Sequence, residues 1–252
     1  MRRTHICVLV LVCQLAPVAV VQAGFEDRVK ALYYEKLADK YYRTREIPEH
    51  LDLAIEGYRS ALRFQPTANW RMYWKMSRSY WMMGEREVRK EKRIQYFTLG
   101  TQFGEKAVKG NPDSSQSHLW YGLALGSAAS EKGVMNTFYQ KEAIKSELQQ
   151  ALRLNPKEIN AFLGLAGWYY NVPKIFGGDK SECFRILEKA LTIDPNFTAT
   201  LLLKAKLLID SHRSKDARKT LLRLLRVEKP SSTGAIGDKA AAKVLLEQTA
   251  NF

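Results

Sequence analysis

The chain has 252 residues, 46% hydrophobic and 26% charged, which excludes a disordered chain and a multi-span membrane protein. Three cysteines cannot build a dense disulfide framework. A formal net charge of +14 points to an anionic partner: nucleic acid, membrane or an acidic ligand.

Arg2 and Arg3 precede an apolar run, Ile6–Val21, broken by Gln14 and Pro17. The run is shorter than the roughly 20 apolar residues a membrane span needs. Val21-Gln22-Ala23 supplies small or modest side chains before a cleavage point. Residues 1–23 therefore predict a secretory signal peptide, with an uncleaved anchor as the alternative. Cleavage leaves Cys183 alone, and export without disulfides suits a periplasmic or cell-envelope protein.

From Gly24 onward the apolar spacing is helical throughout. Phe25–Arg45 predicts an amphipathic helix that completes a first hairpin. Then a pattern recurs. Ala54, Tyr58, Ala61 and Pro66 have the same spacing as Ile144, Leu148, Ala151 and Pro156, and as Cys183, Leu187, Ala190 and Pro195. Ala217, Leu221 and Leu224 repeat it with Pro230 one residue late; Gly100, Gly104, Ala107 and Pro112 are a fainter copy. Residues at i, i+4 and i+7 share a helix face, small ones admit a close neighbour, and the proline ends the helix.

After Pro156 come Phe162, Leu165, Ala166 and Tyr169; after Pro195 come Leu201, Ala205 and Leu208. Shifted versions are Tyr73, Met76, Ser77 and Tyr80, then Trp120, Leu123, Ala124 and Ser127. These copies resemble the tetratricopeptide repeat across residues 30–230. The implied fold is all-α: a helical-hairpin solenoid of about five hairpins plus a C-terminal capping helix. The array would occupy residues 24–230, and residues 231–252 a linker and the capping helix Asp238–Thr249. The prolines stand farther apart than the repeat's period of about 34 residues. The excess falls at Glu85–Phe103, at Glu131–Lys141 with a loop near Gly133, and in an insertion at Val172–Gly178. Asp179 should cap the helix after that insertion, with Glu182 as its reciprocal capping partner.

Longer runs carry a closer resemblance. "KEINAFLGLAGWYYNVPKIFGGDKSECFRILEKALTIDP" (Lys157–Pro195) looks like the TRAP-transporter T-component group. "GEKAVKGNP" (Gly104–Pro112), "LWYGLALG" (Leu119–Gly126), "IKSELQQALRLNP" (Ile144–Pro156) and "DKAAAKVLLEQ" (Asp238–Gln248) resemble the regulator of microtubule dynamics family. Both resemblances imply a repeat scaffold without catalysis.

The residues themselves contain no HExxH, CxxC, GxxxxGK[ST] or GxSxG, and the histidines after the leader, His50, His118 and His212, are far apart. The reading is a non-enzyme with no cofactor and no metal. Gly122 and Gly126 form a helix-packing pair, and Cys183 fills a small buried slot. Nucleic acid is not expected for an exported chain of this kind.

Repeat stacks bind along their concave face. In the tetratricopeptide family that face belongs to the first helix of each hairpin. Carried over position by position, the resemblance selects Arg71, Trp74, Arg78 and Trp81; His118, Tyr121 and Leu125; Asn160, Leu163 and Tyr170; and Leu202, Lys206 and Ile209. Arginine and lysine would pair with carboxylates or phosphates, and the aromatics would offer apolar faces. The expectation is a peptide, a protein partner or a small apolar-acidic ligand in this groove, in a role accessory to envelope transport. A second basic set, Lys215, Arg218, Lys219, Arg223 and Arg226, would meet anionic lipid in an alternative, membrane-apposed role.

Overall fold

A computed structural model describes the backbone of residues 5–65, 69–231 and 234–249, and the side chains from residue 24 onward within those ranges except residue 134. The expected leader, residues 1–23, lies outside the residues whose side chains are described, as does Pro66. Among the described residues there are eleven α-helices and no strand. They are α1 (His5–Arg43), α2 (His50–Phe64), α3 (Trp70–Arg86), α4 (Lys90–Gly110), α5 (Ser115–Lys132) and α6 (Val134–Leu154). Then follow α7 (Ile159–Asn171), α8 (Lys180–Ile193), α9 (Thr198–Asp210), α10 (Ser214–Leu225) and α11 (Ala235–Gln248). No helix among the described residues is long and apolar enough to cross a membrane.

The helices pair as five antiparallel hairpins, α1/α2 to α9/α10, with α11 against α9 and α10. The recurring small residues form the seams. Ala54, Ala107, Ala151, Cys183, Ala190 and Ala217 are all fully buried. A Cβ on Gly104 would stand 2.6 Å from the Tyr121 Cα, and one on Gly84 would enter the Phe97 ring, so α3, α4 and α5 approach at distances only glycine allows.

The prolines work with the residue before them. Asn111, Asn155 and Asp194 each end a second helix in extended conformation, with the backbone N–H still bonded to the carbonyl four residues back. Their Oδ1 atoms accept the N–H two residues on, at 3.0 Å from Asp113, 3.2 Å from Lys157 and 2.9 Å from Asn196. Each helix stop is thus an Asx turn across a proline, which locks the chain into the next hairpin.

The departures from the period fall where the sequence places them. α4 and α6 are each 21 residues long, and Gly133 (φ 104°) separates α5 from α6. The Val172–Gly178 insertion carries a single 3-10 turn, Lys174–Phe176, and Gly177 at φ 99°. The Asp179 carboxylate caps α8 by accepting from the N–H of Ser181 and Glu182. The reciprocal bond from Glu182 does not form: that carboxylate takes Arg185 at 2.6 and 2.8 Å, and the Asp179 N–H donates to the Tyr169 carbonyl at 3.0 Å. The insertion folds back onto α7, so the donor is already used.

First helices of successive hairpins pack on one another, α3 on α5, α5 on α7 and α7 on α9. Second helices instead pack on their own partner and on the following first helix. An array whose first helices touch while its second helices splay curves with the first helices on the inner radius.

Candidate binding groove

On α3 the residues Arg71, Trp74, Arg78 and Trp81 follow i, i+3 and i+4 steps and share a face. The rest of the helix is engaged. Met72 and Met76 are buried in the N-terminal core, Tyr73 and Tyr80 stack on Phe103 of α4, and Ser77 donates to the Trp120 carbonyl of α5. The Arg71–Trp81 face is what remains toward the inner side, between α1 and α5.

Its charges are unequal. Arg71 Nη2 reaches Glu35 at 3.3 Å, and the buried Lys75 Nζ bonds to Glu35 at 2.8 Å and Asp39 at 2.7 Å. Tyr58 donates to Asp39 at 2.8 Å, and burial pushes its hydroxyl pKa well above the ordinary tyrosine value. Glu35 and Asp39 of α1 are therefore consumed. Arg78 lies with its guanidinium 3.5 Å from the Tyr42 ring centroid and 5.0 Å from that of Trp74, with no carboxylate at ion-pair distance among the described residues. It is a stacked cation that also interacts with the Tyr58 hydroxyl and, lacking a carboxylate, has capacity for an added anion.

The aromatic floor continues across α5. Trp81 donates from Nε1 to Ser127 Oγ at 3.0 Å and packs 5.7 Å from Trp120, whose Nε1 donates to Gln116. Beyond Trp120, Leu123 reaches the site a Gly164 Cβ would fill. A cavity of about 240 Å³ opens there between α5, α6 and α7, bordered by Ser127, Gly126, Gly167 and Trp168.

On α7, Asn160 and Leu163 are half-buried, and Gly167, which borders the cavity, has nothing near its Cβ position. Tyr170 donates to the Asp210 carboxylate at the end of α9. Burial, followed by that carboxylate, pushes its pKa up to about 12. Lys206 is exposed on α9, with the half-buried Leu202 and Ile209 close to it in the helix. Thus the expected residues of α3, α7 and α9 lie along the first-helix row.

Those of α5 do not. His118 is buried, with Nδ1 2.6 Å from Glu147 of α6 and Nε2 2.7 Å from the Pro112 carbonyl. It ties the α4–α5 turn to α6. Tyr121 lies under α4 against Gly104, its hydroxyl pKa raised by burial and then by Glu105 and Glu147. Leu125 is buried in the core. Aligning Trp120 with Tyr73 sets α5 about half a turn out of phase; Gln116, Trp120, Leu123 and Ser127 are the residues that face inward. The signal was present in Gly122 and Gly126. Their Cβ positions face Leu148, Glu147 and Ile144 of α6, which fixes that side of α5 as the outer one.

The basic residues of α10 gather on the second-helix layer. Lys215, Arg218, Lys219 and Arg226 are exposed, while Arg223, also exposed, donates to the Pro195 carbonyl at 2.9 Å.

A family model described as "Regulator of microtubule dynamics protein 1-3" matches residues 36–175, more than half of the chain. Regulator of microtubule dynamics protein 3 of Rattus norvegicus is 25% identical over 133 residues, covering 53% of this chain and 28% of that protein. Regulator of microtubule dynamics protein 1 of Bos taurus is 21% identical over 201 residues, covering 71% of this chain and 63% of that protein. The chain thus spans less than two thirds of either relative. Among solved structures, a thermophilic TPR protein of Thermus thermophilus superposes with a TM-score of 0.64 at 16% identity, covering 85% of this chain and 99% of the other. Pseudomonas aeruginosa pilF superposes with a TM-score of 0.54 at 16% identity, covering 88% and 93%. These likenesses show the fold, a tetratricopeptide solenoid.

Proposed function

The chain belongs to the regulator of microtubule dynamics protein family, and from that premise we propose that it is a non-catalytic scaffold holding a protein or peptide segment along its first-helix face. The supporting observation is the row Trp74, Arg78 and Trp81: Arg78 stacks on Tyr42 and Trp74 without a carboxylate partner, and Trp81, on the same helix face, rests on the buried Trp120. Tryptophan and arginine in a partly enclosed groove are the side chains that dominate binding energy at protein interfaces. The segment taken would carry a carboxylate for Arg78 and apolar groups for the indoles, with Lys206 as a second cation farther along.

The test is recovery of partner proteins from the native cell with tagged chain. Trp74→Ala combined with Arg78→Ala should reduce recovery at least about tenfold, while reversing Lys215, Arg218 and Lys219 should leave it intact. Unchanged recovery with the double variant, at an unchanged melting temperature, overturns the groove reading.

Export belongs to the same proposal and is supported by Arg2, Arg3 and the Ile6–Val21 run. The relatives' names point to microtubules, which an exported chain does not meet. N-terminal sequencing of the native protein decides: a start at Gly24 places the partner outside the cytoplasm, in line with a role accessory to envelope transport. A retained Met1 leaves an uncleaved anchor or a cytoplasmic chain, and protease access to the chain in intact cells separates those two.

A further inference from the structure

The lengthened start of α6 and the Val172–Gly178 insertion lie far apart in sequence and meet in space. Phe138 packs edge-on against Phe176 at 4.8 Å and against Tyr139 at 5.7 Å. Met135 is one turn before Tyr139, and Ile175 adjoins Phe176 at the tip of the insertion. The result is a projecting apolar face. Ile175 is 84% exposed, Tyr139 73% and Met135 61%. Core packing accounts for none of these three side chains.

The face is rigid and basic. Lys141 Nζ donates to the Phe176 carbonyl at 3.1 Å and lies 5.2 and 5.6 Å from the Phe138 and Phe176 ring centroids, which pins the insertion to α6. Lys174 is exposed at the tip beside Ile175, and Lys132 is exposed at the end of α5, whereas Lys180 is turned to the Asp210 carbonyl of α9 at 3.4 Å. The acid on this side of α6, Glu142, lies 3.7 Å from Lys141.

We propose that this face docks on an anionic bilayer, with Ile175, Tyr139 and Met135 entering the interfacial layer and the lysines meeting the head groups. Two observations choose the occupant. The apolar side chains project from a loop tip and a helix start, so they can enter a soft medium, whereas a peptide requires a groove. The tyrosine, aliphatic and lysine composition is that of interfacial protein surfaces. A cationic rim complements anionic lipid, and the site is distinct from the α10 residues, which carry charge without projecting apolar groups.

The experiment is co-sedimentation of the full chain with phosphatidylcholine vesicles, with and without phosphatidylserine. Wild type should bind the phosphatidylserine vesicles and release at high salt. Ile175→Ser with Tyr139→Ser should weaken that binding at least about tenfold, the loss expected for two buried apolar side chains. Both residues are largely exposed, so the melting temperature should hold. Reversal of Lys215, Arg218 and Lys219 should matter much less. Equal binding by the serine variant, or loss only on reversing the α10 charges, overturns the proposal. So does a lipid-free dimer of the wild type that the serine variant dissolves, since the face would then join two copies of this chain.

Discussion

At the scale of residues, the groove depends on a charge arrangement beneath it. Lys75 is buried and holds Glu35 and Asp39 together, and this pair of contacts ties α3 to α1. Replacing one member of such a cluster leaves uncompensated charge in a poorly solvated place, which costs about 3–5 kcal/mol in the interior. Asp39 is about a third exposed, so the expected loss for Lys75→Met is at the lower end, roughly 3 kcal/mol. A denaturant titration measures it. Adding Glu35→Gln to Lys75→Met should recover part of the loss, because one orphaned carboxylate is gone. An equal or larger loss in the double variant would mean that Lys75 acts by packing its stem and not by charge. Cys183 is a contrasting case: its thiol sits fully buried in the small slot of α8, and burial alone pushes its pKa up to about 12.

At the scale of elements, the helix seams were legible because they are made of identity as well as hydrophobicity. An alanine or glycine at i, i+4 and i+7 records how near the neighbour comes, and the Asx-proline pairs record where the helix must stop. Gly104 and Gly167 make this measurable. A Cβ at Gly104 meets the Tyr121 backbone at 2.6 Å, which cannot move aside as a side chain can. Gly104→Ala should cost about 1–3 kcal/mol by overpacking. At Gly167 nothing lies within reach, so Gly167→Ala should gain up to about 1 kcal/mol from helix propensity. Thermal melts of the two single variants should therefore move in opposite directions. What the sequence hid was the phase of α5. Trp120 and Tyr121 are adjacent aromatics on different faces, one toward the groove and one under α4, and an aromatic pattern does not say which side is inner. On α3 the i, i+3 and i+4 steps of Arg71, Trp74, Arg78 and Trp81 put those four residues on one face from the sequence alone. On α5 the polar His118 is instead consumed in the turn below, held by Glu147 and the Pro112 carbonyl.

At the scale of the molecule, a stack of hairpins gains its stability from neighbour to neighbour, so its ends behave unlike its middle. α11 closes the C-terminal end. Its Ala242 is fully buried, Asp238 accepts from Thr198 of α9 at 2.6 Å, and Lys239 donates to the Val227 carbonyl at 2.6 Å. Removing residues 234–252 strips the cover from the cluster of Leu201, Leu221, Leu224 and Val227. The expected result is a lower melting temperature and association at high concentration through the uncovered leucines. Hydrogen exchange gives the sharper test. In a stack with short-range coupling, amides of α9 and α10 should lose protection while those of α3 to α6 keep theirs, since α11 packs on α9 and α10. A uniform loss of protection from α3 to α10 would mean that the array unfolds as a single unit. The groove on α3 and α5 could not then be treated as independent of the C-terminal cap, and every variant made near that cap would also test partner binding. A graded loss would allow the groove, the projecting face of α6 and the C-terminal end to be altered one at a time.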